Sequence, residues 1–130
     1  MKEVKDYKEL DVWKKSRTLA SSIYNLSMDF PKDEIYGLTN QMRRAAVSVA
    51  SNIAEGCGRQ HAKDAVQLFY IARGSLYELE TQLYIASDQK FLGPGALNTV
   101  LTEVTSCKQL LNGLIRYFRG LGVPRTTNNE

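Results

Sequence analysis

RRAAVSVASNIAEGCGR, residues 43–59, is a run of small apolar residues that opens with two arginines and carries two glycines near its end. Its apolar positions continue a helical period that begins at residue 38. At about 100° per residue, the apolar residues of 38–55 cover an arc of roughly 200°. A helix that packs only inside its own bundle needs a stripe little wider than about 100°. We therefore expect this helix to have more than one neighbour, including something besides its own bundle.

The glycines of GCGR, residues 56–59, raise the question of a phosphate-binding loop. Such a loop follows a strand, opens a helix and carries the full GxxxxGK[ST] or GxGxxG pattern. Here the glycines follow a predicted helix and the pattern is incomplete. The sequence instead predicts a helix end, with Gly56 as a C′ residue in the left-handed conformation.

Four segments with helical periodicity fill most of the chain, and short stretches rich in proline and glycine separate them. The predicted helices cover residues 10–28 and 38–55, a third begins near Lys63, and a fourth follows Pro94. No useful length of sequence alternates with period two. Connections this short join antiparallel neighbours. The predicted fold class is all-α, an antiparallel up-down four-helix bundle.

Length and composition are those of one globular domain, with 130 residues, 43% of them hydrophobic and 24% charged. We assign the domain to residues 1–121 and predict that residues 122–130 form a disordered tail. No apolar run reaches the roughly 18 residues that a membrane span needs, and the charged N-terminus is unlike a secretory signal. The expected location is the cytoplasm.

No residue pattern in the sequence assembles a catalytic or metal site. The single histidine, His61, removes sites that need several imidazoles, and Cys57 and Cys107 are far apart with no CxxC pair. The carboxylates of the central helices come without the Glu-x-x-His pairs of di-metal bundles. We expect no enzyme activity, no catalytic residue, no metal and no cofactor.

A second stripe runs along the third helix beside its core seam, with tyrosine at every seventh residue. Tyrosine and arginine are enriched at protein interfaces. An Arg73–Glu80 ion pair within one helix would be strained, but each residue could find its partner on a neighbouring subunit. The alternative is tyrosines at the core edge with their hydroxyls in water. With the apolar arc of the second helix, the predicted homo-oligomer interface is Arg43, Val47, Ala50, Ala54, Tyr70, Arg73, Tyr77, Glu80 and Tyr84.

Basic residues suggest a nucleic-acid-binding surface, although the formal net charge is only +3. A symmetric ring multiplies a small basic patch by its number of subunits, and phosphate contacts need no base recognition. The alternative is a solvated helical surface, with the C-terminal arginines complementing the helix dipole. The candidate nucleic-acid-binding residues are Lys14, Arg17, Arg44, Arg59, Lys63, Arg116 and Arg119.

Four pieces of sequence, YGLT at 36–39, RRAAVS at 43–48, NIAEG at 52–56 and GSLYELETQL at 74–83, occur in this order. In them the chain resembles the bacterial 23S rRNA intervening-sequence proteins, over about residues 7 to 92. That resemblance implies a small four-helix bundle that assembles as a pentameric ring and has no enzymatic activity. A related bundle is the accessory protein of diversity-generating retroelements, which binds nucleic acid and a reverse transcriptase.

Two functions therefore stay open from the sequence. The first is a non-enzymatic, ring-forming protein that binds nucleic acid, with structured RNA as the expected ligand. The second is a scaffold whose ring presents aromatic and apolar surface to a protein partner such as a reverse transcriptase. Binding of RNA in a salt-dependent manner distinguishes the first function from the second.

Overall fold

The computed structural model describes residues 6–122 and is all-helical over that range. Short 3₁₀ turns at Tyr7–Glu9 and Lys32–Glu34 precede the first and second α-helices. The described residues contain no strand, which confirms the predicted all-α class. The four α-helices are α1 (Asp11–Ser27), α2 (Leu38–Cys57), α3 (Ala62–Asp88) and α4 (Pro94–Leu121).

Each helix packs against two others, so that α1 and α3 occupy opposite corners of the bundle, as do α2 and α4. Cross-helix bonds give the direction: Glu80 of α3 pairs with Lys108 of α4, and Arg73 pairs with Asn112. Residue numbers fall along α3 as they rise along α4, so the two helices are antiparallel. The arrangement fits the predicted up-down bundle.

One apolar core fills the space between the helices. Phe69 of α3 meets Phe118 of α4 edge to face, with ring centroids 4.9 Å apart and an interplanar angle of 84°. The largest fully buried side chains come from all four helices: Phe69, Leu19, Ile23, Met42, Ile53, Leu76, Leu79, Leu83, Leu111, Val49, Val100 and Val104.

The wide apolar arc of α2 lies between two helices of its own bundle. On one flank Arg43 reaches Tyr24 and Ser27 of α1, and on the other Ser48 accepts a hydrogen bond from Ser75 of α3 at 2.9 Å. Residues between these flanks are buried: Thr39, Met42, Ala45, Ala46, Val49, Ile53 and Gly56. The two neighbours therefore account for most of the arc.

Gly56 does not end α2, so that prediction is wrong. The helix continues through Cys57, and Gly58 caps it in the right-handed region at φ −84°. Gly56 is buried where α2 meets α3, and a Cβ there would lie 2.5 Å from Cε1 of Phe69. The position needs glycine because of this close approach, since no described glycine has a positive φ.

The end of α3 forms a Schellman motif. The amide of Lys90 donates to the carbonyl of Ser87, and that of Phe91 to the carbonyl of Ala86, both at 2.9 Å. Lys90 has φ 63° and is the one described non-glycine residue in the left-handed region. This turn directs the chain into α4, which begins at Pro94.

Gly122 of the predicted tail caps α4, while residues 123–130 lie outside the described residues. Across 6–122, no helix is both long enough and apolar enough to cross a membrane.

Candidate nucleic-acid interface

Six of the seven predicted nucleic-acid-binding residues lie at one end of the bundle. In an up-down bundle, α1 and α3 begin at the end where α2 and α4 finish, so this end collects the first turns of α1, the α2–α3 connection and the last turns of α4. All six side chains are exposed. We call this surface the basic end, and it consists of Lys14, Arg17, Arg59, Lys63, Arg116 and Arg119.

Most of the basic end is free to bind an anion. Arg59 donates to Glu55 at 2.7 Å in an exposed pair, and the other five residues form no ion pair within residues 6–122. The Arg17 guanidinium lies 5.5 Å from the ring centroid of Trp13. Lys63 and Arg119 line a common cleft of 270 Å³ between α3 and α4. These two form the best-defined cationic pair at this end.

Acidic residues are also present at this end, and two of them lie at helix starts. Asp11 and Asp64 lie in the first turns of α1 and α3, where a carboxylate complements the helix dipole. Neither forms an ion pair with the basic end in the described part of the chain. The Glu55 carboxylate, which pairs with Arg59, is therefore the one described carboxylate with which a phosphate would compete directly for a cation of the basic end.

Arg44, the seventh residue, lies away from the basic end. It precedes Cys57 by thirteen residues of α2, which is about 20 Å along the helix axis. Its exposed side chain is at the boundary of two surface grooves. The structure thus separates this arginine from the other candidates.

Arg43 points towards α1 within its own chain. Its Nε donates to the Ser27 hydroxyl at 2.9 Å, and its guanidinium carbon lies 4.8 Å from the centroid of the Tyr24 ring. The side chain is half-buried. Val47, which shares this flank of α2, is exposed, while Ala50 and Ala54 are half-buried.

The charged members of the predicted α3 stripe have partners in α4 and do not need a neighbouring subunit. Arg73 donates to the Asn112 side chain at 3.0 Å and lies over Tyr70, 4.9 Å from the ring centroid. Glu80 accepts from Lys108 at 2.7 Å. The expectation of intersubunit partners is corrected here, because α4 runs antiparallel beside the stripe and supplies both groups.

Four large apolar side chains of α3 are exposed, among polar ones such as Gln67, Glu78 and Thr81. Tyr77 and Tyr84 are each about half exposed, and Ile71 and Ile85 lie beside them on the outward side. The isoleucines are two heptads apart, but Glu78 stands between them, so no continuous apolar stripe in the sequence indicates them. We call Ile71, Tyr77, Tyr84 and Ile85 the α3 apolar face.

The titratable groups of the interior are thiols. Burial raises the pKa of Cys57 to about 11, and burial also raises the pKa of Cys107. Both cysteines are unpaired. No three His, Cys, Asp or Glu side chains gather within the described range in a group that could hold a metal ion.

These features define a small all-helical protein with a basic end and an exposed apolar face on one helix. The model of the 23S rRNA-intervening sequence protein family matches residues 8–113, and the chain belongs to that family. No protein of curated function matches the chain.

A solved structure shares the fold. It is a protein with unknown function from the S23 ribosomal protein family of Bacteroides thetaiotaomicron, with a TM-score of 0.74 and 23% sequence identity. The alignment covers 80% of this chain and 97% of that one. At this level of identity the likeness concerns the fold.

Proposed function

We propose that this protein is a non-enzymatic homo-oligomer that binds structured RNA through its basic end. The observation that carries the proposal is the convergence of six exposed cations at one end of the bundle, five of them without an ion pair in the described residues. Phosphate contacts of this kind supply affinity without base recognition. The family takes its name from 23S rRNA, which supports RNA as the ligand.

Oligomerisation explains how a modest charge supports RNA binding. The formal charge is +3 per chain, and a closed ring, pentameric in the form that we propose, repeats the basic end once per subunit. The α3 apolar face is the surface proposed for the contact between subunits, since its tyrosines and isoleucines are large and exposed.

RNA binding is tested by charge reversal at the α3–α4 cleft. The double variant Lys63→Glu, Arg119→Glu is expected to weaken binding of a structured RNA by at least about tenfold in an electrophoretic shift assay, since it replaces attraction to phosphate with repulsion. The matched control is Lys32→Glu, Lys90→Glu, which makes the same charge change at the opposite end of the bundle. Equal losses in the two variants would contradict a localised site, and absence of RNA binding by the unmodified protein would overturn the proposal.

The α3 apolar face is tested separately by sedimentation at micromolar concentration. We expect an oligomer, and we expect Ile71→Asp to dissociate it because a charge would enter an apolar contact.

A protein that sediments as a monomer would contradict the oligomer, and with it the ring on which both candidate functions depend. The second candidate is a scaffold whose ring presents aromatic and apolar surface to a protein partner. That function would require a partner retained after nuclease treatment and no intrinsic RNA affinity.

A further inference from the structure

Two grooves meet at Arg44 on the outer surface of α2. The first has a volume of 440 Å³ and is lined by Tyr24, Asn40, Arg43, Arg44, Val47 and Ser48. The second, of 430 Å³, shares Asn40, Arg44 and Ser48 with the first. Small-molecule sites commonly have volumes of roughly 300–1,000 Å³, so each groove is large enough for part of a ligand of nucleotide size.

The first groove has the chemistry of a phosphate site. Two guanidinium groups, of Arg43 and Arg44, line it, and no carboxylate does. Stacking on Tyr24 and the Nε bond to Ser27 hold Arg43 in place, and no described residue takes a hydrogen bond from its terminal nitrogens. A guanidinium that is already positioned loses little conformational freedom when it binds an anion.

The second groove has different chemistry, suited to a sugar and a base. Its lining adds Tyr36, Gln41, Ala45, Ser75 and Glu78 to the shared residues. The Glu78 carboxylate forms no ion pair in the described part of the chain, so it repels phosphate and is open to donors such as ribose hydroxyls or an exocyclic amine. Tyr36 is 93% exposed and offers its ring for stacking.

The floor where the grooves meet carries a donor. The Ser48 hydroxyl accepts hydrogen bonds from Asn52 and from Ser75, each at 2.9 Å. Its own proton stays available to a ligand that spans both grooves.

We propose that the two grooves form one binding site for a nucleotide unit, with its phosphate between Arg43 and Arg44 and its base on Tyr36. This goes beyond the proposed function, because the site shares no residue with the basic end and lies about 20 Å from it along α2. The unit comes either from a free nucleotide or from a single-stranded stretch of RNA.

Calorimetric titration with AMP, adenosine and inorganic phosphate tests the site. AMP is expected to bind more tightly than either fragment, since it engages both grooves. Arg44→Ala is expected to weaken AMP at least about tenfold through loss of a charged donor. Tyr36→Ala is expected to weaken AMP at least about fivefold and to leave inorganic phosphate unchanged.

The matched control is Arg17→Ala, which likewise removes an exposed guanidinium but at the basic end. We expect it to leave AMP binding unchanged. Arg44 and Tyr36 are exposed, so their replacement leaves the core intact, and circular dichroism checks this.

The source of the nucleotide is distinguished with a single-stranded oligonucleotide and a duplex of the same length. Weaker binding of the single strand to Tyr36→Ala, with the duplex unaffected, assigns the site to single-stranded RNA. An effect on AMP alone assigns it to a free nucleotide. The proposed site would be overturned if AMP did not bind at millimolar concentration, or if neither Arg44→Ala nor Tyr36→Ala changed its binding. Either result would leave the proposal for the basic end unaffected.

Discussion

Gly56 is the residue on which the contact between α2 and α3 depends. A methyl group there would overlap the Phe69 ring, 2.5 Å from Cε1, and would also lie 3.1 Å from the carbonyl oxygen of Ala65. Phe69 is fully buried and is held by Phe118, so it has little room to move. The Ala65 carbonyl on one side and the fixed Phe69 ring on the other therefore leave space only for glycine at this position.

We predict that Gly56→Ala lowers the free energy of unfolding by about 2 kcal/mol, through overpacking between α2 and α3. Urea unfolding followed by circular dichroism measures it. Gly113→Ala is the control, because a Cβ at Gly113 makes an ordinary contact of 3.7 Å with the Arg116 side chain. That control is expected to be unchanged or more stable by up to about 1 kcal/mol. Equal stability of the two variants would contradict the role of Gly56.

The Cys57 thiol predicts a pH dependence of stability. Burial raises its pKa to about 11 from the ordinary value of 9.0. Between these values the unfolded chain loses the thiol proton and the folded chain keeps it. The neutral thiol therefore contributes to the free energy of unfolding below pH 9, and this contribution is lost as the pH rises to about 11. The urea midpoint is therefore expected to fall between the low-pH and the high-pH side of this window, and to fall less in Cys57→Ala than in the unmodified protein. Identical pH profiles would contradict the prediction.

At the scale of elements, the α3–α4 connection holds one non-glycine residue in a strained backbone conformation that a substitution could relieve. Lys90 occupies the C′ position of a Schellman motif at φ 63°, where a side chain is disfavoured and glycine is preferred. We predict that Lys90→Gly stabilises the protein by about 1 kcal/mol, measured as a shift in the unfolding midpoint. Lys90→Ala keeps the Cβ and is expected to show little change. A less stable glycine variant would show that the lysine side chain contributes more than its backbone conformation costs.

The positions of the helices could be predicted from the sequence because each has a periodic apolar face. The predicted boundaries 10–28 and 38–55 differ from α1 and α2 by two residues or fewer, which is the usual uncertainty of helix ends. Gly56 could not be interpreted in the same way. A glycine that ends a helix and a glycine that admits a neighbouring ring look alike in sequence, and only the distance to Phe69 distinguishes them.

Side-chain contacts between neighbouring helices also could not be predicted from the sequence. The stripe of Tyr70, Arg73, Tyr77 and Glu80 was visible, but the side chains of α4 that face it depend on the register between two helices. Asn112 and Lys108 satisfy Arg73 and Glu80 in the structure. An interface stripe and a stripe covered by the next helix have the same spacing, so periodicity alone could not separate them.

For the whole molecule, the basic end follows from topology. The six cations are scattered over residues 14–119, and only an up-down arrangement brings the starts of α1 and α3 to the finish of α2 and α4. The sequence supplied the residues and the order of the helices, which together predict this convergence. It did not place Arg44, whose grooves require α1, α2 and α3 to be in contact.

The salt dependence of RNA binding tests the basic end most directly. Each phosphate that the protein contacts adds roughly 0.7–0.9 to the slope of log K against log salt concentration. For a structured RNA titrated by fluorescence anisotropy, Lys63→Ala, Arg119→Ala is expected to reduce the magnitude of this slope by at least about one. Lys32→Ala, Lys90→Ala, which removes two cations from the opposite end, is expected to leave it unchanged. Equal slopes for the unmodified protein and both variants would contradict a phosphate-binding surface at the basic end.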